Sequence, residues 1–221
     1  MPATLSDVER AVRVMAETVV ANETYFGDLD AVVGDGDFGY SMARGFEIVL
    51  SDWDGFDRSD ITTFLKKVAV TITSRIGGTS GPIWGTGFLR AAAVAAGEDS
   101  LDVDRIVAML RAAAEGIKAR GGADVGDKTL LDALVPATDA IEERAKAGSS
   151  GVDTLRAAAV SARSAAEATR PMLAKKGRAA YTGERSVGTL DAGAVAVAVL
   201  IEALADQWQP PTQPDDREAV E

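Results

Sequence analysis

Asp60-Ile61-Thr62-Thr63-Phe64-Leu65-Lys66-Lys67-Val68-Ala69-Val70-Thr71-Ile72-Thr73-Ser74-Arg75-Ile76 decides the fold class of this chain. Val68 to Ile72, rich in β-branched residues, has the composition of a strand. Its flanks argue otherwise. Ile61, Leu65, Val68, Ile72 and Ile76 recur at intervals of three and four, which places them on one face of a helix opened by Asp60.

With that stretch helical, no convincing strand is left and the pattern reads as helix after helix. Ser6-Asp7-Val8-Glu9 has the spacing of a capping box, and Val8, Val12, Met15 and Val19 repeat at helical intervals behind it. A second helix starts around Tyr40. Gly77-Gly78-Thr79-Ser80-Gly81-Pro82 ends the third; Pro82 suits a first helical position, with Ser80 close enough to cap it. The fourth runs through Leu89 towards Ala96. A fifth covers about Asp102 to Ala119 and stops at Gly121-Gly122; a sixth begins near Lys128 and ends at Gly148 to Gly151. A long seventh reaches about Lys175 with a kink at Pro171, and the eighth starts near Asp191. The expectation is an all-α bundle of about eight helices forming one domain over 1–208. The proline-rich, acidic stretch 209–221 is expected to be a disordered tail.

Composition agrees and narrows function. Of 221 residues 47% are hydrophobic but only 5% aromatic, and cores rich in alanine suit closely packed helices. A net charge of −11 argues against a nucleic-acid surface and against anionic lipid. No apolar run reaches membrane-spanning length; Ala192 to Ala205 is interrupted by Glu202 and reads as a buried helix. No leader segment stands out, so a cytoplasmic location is the default. Cysteine and histidine are both missing, which removes thiolate and histidine metal sites and the commonest general base. An acidic chain that binds phosphate must therefore use metal ions, helix N-termini and a few placed cations.

The segment Leu29-Asp30-Ala31-Val32-Val33-Gly34-Asp35-Gly36-Asp37-Phe38-Gly39 crowds three carboxylates among three glycines. Such carboxylates repel unless a cation lies between them, and oxygen-only ligation suits a hard divalent ion such as Mg²⁺. Two readings stand: a metal–nucleotide loop, or a solvated acidic turn capping the next helix. An EF-hand fails, because the positions eleven past Asp35 and Asp28 are Phe46 and Gly39.

Three further breaks resemble this one: Gly77 to Pro82, Gly121 to Thr129, and Gly177 to Ser186 leading to Asp191-Ala192-Gly193. By helix count all four are alternate connections, which share one end in an antiparallel bundle. Thr79 and Ser80 head a helix and serve as plain caps or as a phosphate cradle. Gly121 and Gly126 have P-loop spacing, yet Asp127 intervenes before Lys128-Thr129 and no strand precedes, so that assignment is rejected. Arg178 offers bidentate contacts to phosphate; Arg185 reads as a surface charge or partner of Glu184. Asp191 caps the last helix or faces a ligand, and Tyr181 packs or hydrogen-bonds.

In order and nearly gap-free from about residue 5 to 208, these pieces resemble the L subunit of dihydroxyacetone kinases. The matching motifs are Gly34-Asp35-Gly36-Asp37-Phe38-Gly39, Gly77 to Pro82 with Gly85-Thr86, Gly121 to Thr129 with Leu131 to Leu134, Gly177 to Ser186, and Asp191 to Ala194. The resemblance implies an eight-helix antiparallel barrel with a nucleotide, ADP or ATP, at one rim. It implies two Mg²⁺ ions on Asp30, Asp35 and Asp37, and phosphate charge met by Arg178 as the catalytic cation. Nucleotide contacts would come from Phe38, Gly39, Tyr40, Ser41, Thr79, Ser80, Gly121, Leu130, Arg178, Asp191, Ala192 and Gly193. Phe38 and Ser41 stand where the family commonly has histidine and asparagine, and Ala192 where it has proline.

The implied activity is phosphoryl transfer to a short ketose held on the histidine of a separate K subunit, which accounts for the missing histidine here. Relatives differ in phosphoryl donor, either exchangeable ATP or a resident ADP recharged by an M subunit of the sugar phosphotransferase system, and some use tetruloses. Two alternatives remain at this level: a nucleotide-loaded partner of a transcription regulator without catalysis of its own, and a plain helical bundle.

Overall fold

Val70 separates strand from helix in the deciding stretch. In a strand it would share a face with Val68 and Ile72; it is 60% exposed while both neighbours are fully buried. The computed structural model, which describes residues 2–208, places them on α4 (Ile61–Arg75). Asp60 starts that helix, its carboxylate accepting from the Thr63 N–H at 2.8 Å and the Thr63 hydroxyl at 2.7 Å. Leu65 and Ile76 complete the expected buried stripe.

Nine α-helices and no strand form among the described residues: α1 Leu5–Ala21, α2 Glu23–Ala31, α3 Phe38–Ser51, α4, α5 Ser80–Val94, α6 Val103–Gly121, α7 Leu131–Lys146, α8 Gly151–Ala168 and α9 Ala192–Gln207. The expected all-α class holds. The count exceeds eight because the chain breaks at Asn22, whose side-chain amide donates to the Thr18 carbonyl at 2.8 Å, and restarts as the short α2. The expected tail over 209–221 lies outside the described residues.

Four local expectations are corrected. The capping box sits two residues earlier, with Thr4 and Asp7 bonding reciprocally, because Thr4 supplies the extended backbone that a cap needs. The cap of α5 is Thr79 rather than Ser80, with no side-chain hydrogen bond, and Pro82 falls third in the helix, where a missing N–H still costs nothing. No kink occurs at Pro171, because α8 ends at Ala168; the Thr169 hydroxyl donates back to the Ala166 carbonyl at 2.6 Å. And α7 begins at Leu131 instead of Lys128, because Lys128 has φ 62°, outside the helical region.

The helices α1, α3, α4, α5, α6, α7, α8 and α9 each pack against the next, α9 also packs against α1, and α2 lies on α3. The largest core side chains, Phe26, Phe46, Phe64, Met42 and Ile72, are fully buried between α1–α4 and α9. Elsewhere alanine makes the seams: Ala133, Ala158, Ala162, Ala166, Ala194 and Ala198 have no exposure, which lets α7, α8 and α9 approach closely. No helix among the described residues is long and apolar enough to cross a membrane.

Phe64 packs edge-on to Trp53 at 5.7 Å and beside Phe56 at 6.2 Å. Replacing Phe64 by Ala should cost about 3–5 kcal/mol of folding stability, the transfer term plus the cavity left behind. Urea denaturation of the variant against the unchanged chain measures it.

Candidate functional site

Asp30 occupies the last turn of α2, and Asp35 and Asp37 follow in the connection to α3. The turn is tight. The N–H of Gly34 donates to the Asp30 carbonyl at 2.5 Å, and a Cβ at Gly34 would stand 2.2 Å from the Asp30 carboxylate. Only glycine lets the chain double back beneath that side chain. Gly39 sets the other wall: a Cβ there would meet the Glu23 carbonyl at 2.0 Å, so α3 starts directly against α2.

This backbone brings one oxygen from each of Asp30, Asp35 and Asp37 within 4.8 Å of one another. Asp35 and Asp37 are exposed, and Asp30 is half-buried, with the Phe38 N–H donating to it at 3.4 Å. Across the gap Arg178, at the start of a 3-10 segment Arg178–Ser186, ion-pairs with Asp35 and reaches Asp37 at 3.4 Å. Three carboxylates and one guanidinium leave a net negative, oxygen-lined group, which fits a hard divalent cation.

A second group lies beneath the same set of connections. Asp132, buried at the start of α7, accepts from the N–H groups of Gly126 at 2.5 Å and Thr129 at 2.6 Å. Asp191 caps α9 by accepting from the Ala194 N–H at 2.7 Å, and its own N–H donates to the Thr169 hydroxyl at 3.0 Å. Burial pushes the Asp191 carboxyl up to about 7, with the Asp132 charge adding to the rise and the Ala194 N–H and Lys128 opposing it. Gly193 stands beside Leu130, whose backbone N would lie 3.3 Å from a Cβ at Gly193.

Of the residues expected at the site, Asp30, Asp35, Asp37 and Arg178 therefore meet, and Leu130, Asp191 and Gly193 meet. Ala192 is the first residue of α9. Phe38, Gly39, Tyr40 and Ser41 form the first turn of α3. The Phe38 ring packs on Phe26 at 6.1 Å, so the carboxylate loop meets this residue through its backbone N–H. Tyr40 is exposed under the Arg44 guanidinium at 5.2 Å. The Ser41 hydroxyl neighbours Gly77, which brings the Thr79–Ser80 helix start alongside, although neither residue hydrogen-bonds the carboxylates among the described residues. Gly121 ends α6 against the Ile83 side chain of α5. Arg185 is exposed, as a surface charge should be, and Tyr181 is 92% exposed rather than packed.

Sequence reasoning missed the interior of the second group. Lys128 is only 2% exposed and holds three backbone carbonyls, and Asp132 organises the turn before it. The signal lies in Gly126-Asp127-Lys128-Thr129, but the positive φ that buries the Lys128 side chain is set by tertiary contacts and has no mark in the local spacing.

The DAK2 domain model matches residues 32–206. The chain is 40% identical over 181 residues to the PEP-dependent dihydroxyacetone kinase, ADP-binding subunit DhaL, of Escherichia coli, covering 82% of this chain and 86% of that one. It is 31% identical to the ADP-binding subunit DhaL of PEP-dependent dihydroxyacetone kinase 2 of Listeria innocua, covering 75% and 77%. The dihydroxyacetone kinase of C. freundii in complex with AMP-PNP and Mg²⁺ superposes with a TM-score of 0.73 at 27% identity, over 93% of this chain and 34% of that longer one. The chain belongs to the DAK2 family of dihydroxyacetone kinase ADP-binding subunits.

Asp191 yields a pH signature. Its carboxyl is raised from 3.8 to about 7 in the fold, so between those values the folded chain holds a proton that the unfolded chain has released. Stability from this group is full below the lower value and is lost as pH rises towards 7. The thermal midpoint of the unchanged chain should fall from pH 4 to 7 relative to Asp191→Asn, which keeps a capping acceptor without titrating. Parallel midpoint curves for the two proteins would contradict the assignment.

Proposed function

We infer that this chain is the nucleotide-binding part of a dihydroxyacetone-type kinase, acting on a short ketose held by a separate K subunit. One observation carries the reading: Asp30, Asp35 and Asp37 converge within 4.8 Å and face Arg178 from the opposite connection. Arg178 offsets only one of the three charges, and an oxygen-lined group left net negative favours a divalent cation. The AMP-PNP and Mg²⁺ of the C. freundii structure supply the matching ligand chemistry.

On this reading Asp30, Asp35 and Asp37 hold two Mg²⁺ ions, whose chemistry is to neutralise phosphate charge and orient the transferring group. Arg178 gives a fork of donors to phosphate oxygen in place of its present carboxylate partners. The first-turn N–H groups of α3 that make no intrahelical bond, at Gly39 and Tyr40, and those of α5 behind Thr79 would turn positive helix ends towards the same anion. Thr79 makes no side-chain cap to satisfy those donors, which leaves them available. Gly121 at the end of α6, Leu130 and Asp191 at the caps of α7 and α9, and Ala192 and Gly193 in the first turn of α9 would contact the nucleoside portion. By the family resemblance, the ketose-holding histidine and the base for the acceptor hydroxyl would come from the K subunit, which agrees with a chain that contains no histidine. The phosphoryl group comes either from exchanged ATP or from ADP recharged by an M subunit.

Replacing Asp35 or Asp37 by Asn should lower ketose phosphorylation by the reconstituted pair by more than about a hundredfold, the scale expected when several kcal/mol of charge stabilisation is lost. Far-UV circular dichroism should stay helical, and calorimetry should show no Mg²⁺–ADP heat. Full activity in either variant refutes the assignment. Comparing ATP with phosphoenolpyruvate plus an M subunit decides the donor.

A further inference from the structure

The segment between α8 and α9 leaves at Met172 and returns at Thr189, and it presents Arg178 to the carboxylates from its exposed middle. Apolar packing holds little of it: Ala174 is buried, whereas Leu173, Tyr181 and Val187 are exposed. Its position therefore depends on polar ties at its base.

Those ties converge on Lys128. The Nζ donates to the Met172 carbonyl at 3.1 Å on the outgoing side, and to the Ser186 carbonyl and the Thr189 carbonyl (2.9 Å) on the returning side. The Thr189 hydroxyl stands 3.2 Å away and itself donates to the Ser186 carbonyl at 2.7 Å. An ammonium has three protons, and here three carbonyls from two ends of one segment receive them. Ser186 adds a hydroxyl bridge, accepting from the Ala174 N–H at 3.0 Å and donating to the Gly183 carbonyl at 2.7 Å. Next to Lys128, Asp127 accepts from both the Lys175 N–H at 3.1 Å and its ammonium at 3.0 Å.

The backbone of Lys128 is as unusual as its burial. Among the described residues it is the non-glycine residue with positive φ, at 62°. Such a conformation is disfavoured for a residue with a side chain, and persists when surrounding contacts over-determine it. Here it directs the lysine stem inward, beneath the segment, instead of out to solvent. A glycine would suit the turn better but could not reach the carbonyls.

We propose that Lys128 is a positioning residue for the phosphate cation: by pinning both ends of the 172–189 segment it holds Arg178 preorganised over Asp35 and Asp37. The proposal rests on the nucleotide reading given above. Preorganisation matters because an exposed arginine otherwise loses its rotamer and loop freedom at the moment of binding. Lysine suits the task better than arginine, since a compact ammonium can meet three carbonyls converging from different directions.

Lys128→Met in the full chain, with Arg178→Ala and the double variant, tests it. Lys128→Met should speed limited tryptic cleavage after Arg178 and Arg185 while the chain remains helical. It should also weaken Mg²⁺–ADP binding about tenfold, the loss of one charge-assisted contact. In the Arg178→Ala background it should cause no further loss, whereas a merely structural lysine would lower affinity equally in both. Unchanged cleavage, or equal losses in the two backgrounds, overturns the proposal. If Lys128→Met does not fold, Ser186→Ala takes its place: it opens the hydroxyl bridge alone, and must give faster cleavage with the same non-additivity or the proposal fails. Absence of Mg²⁺–ADP heat in the unchanged chain would sink the nucleotide reading instead, and cleavage would still decide whether Lys128 pins the segment.

Discussion

Carboxylate oxygens held within 4.8 Å of one another repel, and the end of this helix set where Asp30, Asp35 and Asp37 meet is organised around that repulsion. The backbone keeps them together by making a turn that only Gly34 permits, and by seating α3 against α2 at Gly39. Arg178 offsets part of the charge, from a connection more than a hundred residues later in the chain. A small, hard, doubly charged ion offsets the rest better than any side chain, because it can approach all three oxygens at once.

Bringing a late connection to an early one requires a closed order of helix neighbours, and the unusual composition makes that possible. Alanine seams between α7, α8 and α9 let those helices approach closely, while the bulkiest fully buried side chains come from α2, α3 and α4. The polar residues beneath the rim then do for the connections what apolar packing does for the helices. Lys128, Asp132 and Asp191 each satisfy backbone groups there, so that the α6–α7 and α8–α9 connections are tied together by one polar network.

What could be read from residues alone followed the range of the interactions concerned. Helix faces were legible because their period is local: the Ile61 to Ile76 stripe is buried as spaced. Caps were legible to within a residue or two, as Thr4 in place of Ser6 illustrates, since several neighbouring residues can make the same short bond. Asn22 went unread because a helix break without glycine or proline depends on packing on both sides. Phe38 stands where the resemblance leads one to expect histidine, yet its ring packs on the core residue Phe26 and its N–H faces the carboxylates.

By itself the sequence determined that the chain is helical, that its acidic residues cluster near glycines able to turn tightly, and that histidine and cysteine chemistry is closed to it. These follow from composition and from contacts spanning a few residues. The tertiary structure alone decided that Arg178 faces Asp35 and Asp37, and that Lys128 is buried in a left-handed turn where its ammonium ties Met172 to Thr189. Such pairings join residues far apart in the chain, and no local period or spacing encodes which distant connections the packing of helices will bring to one place.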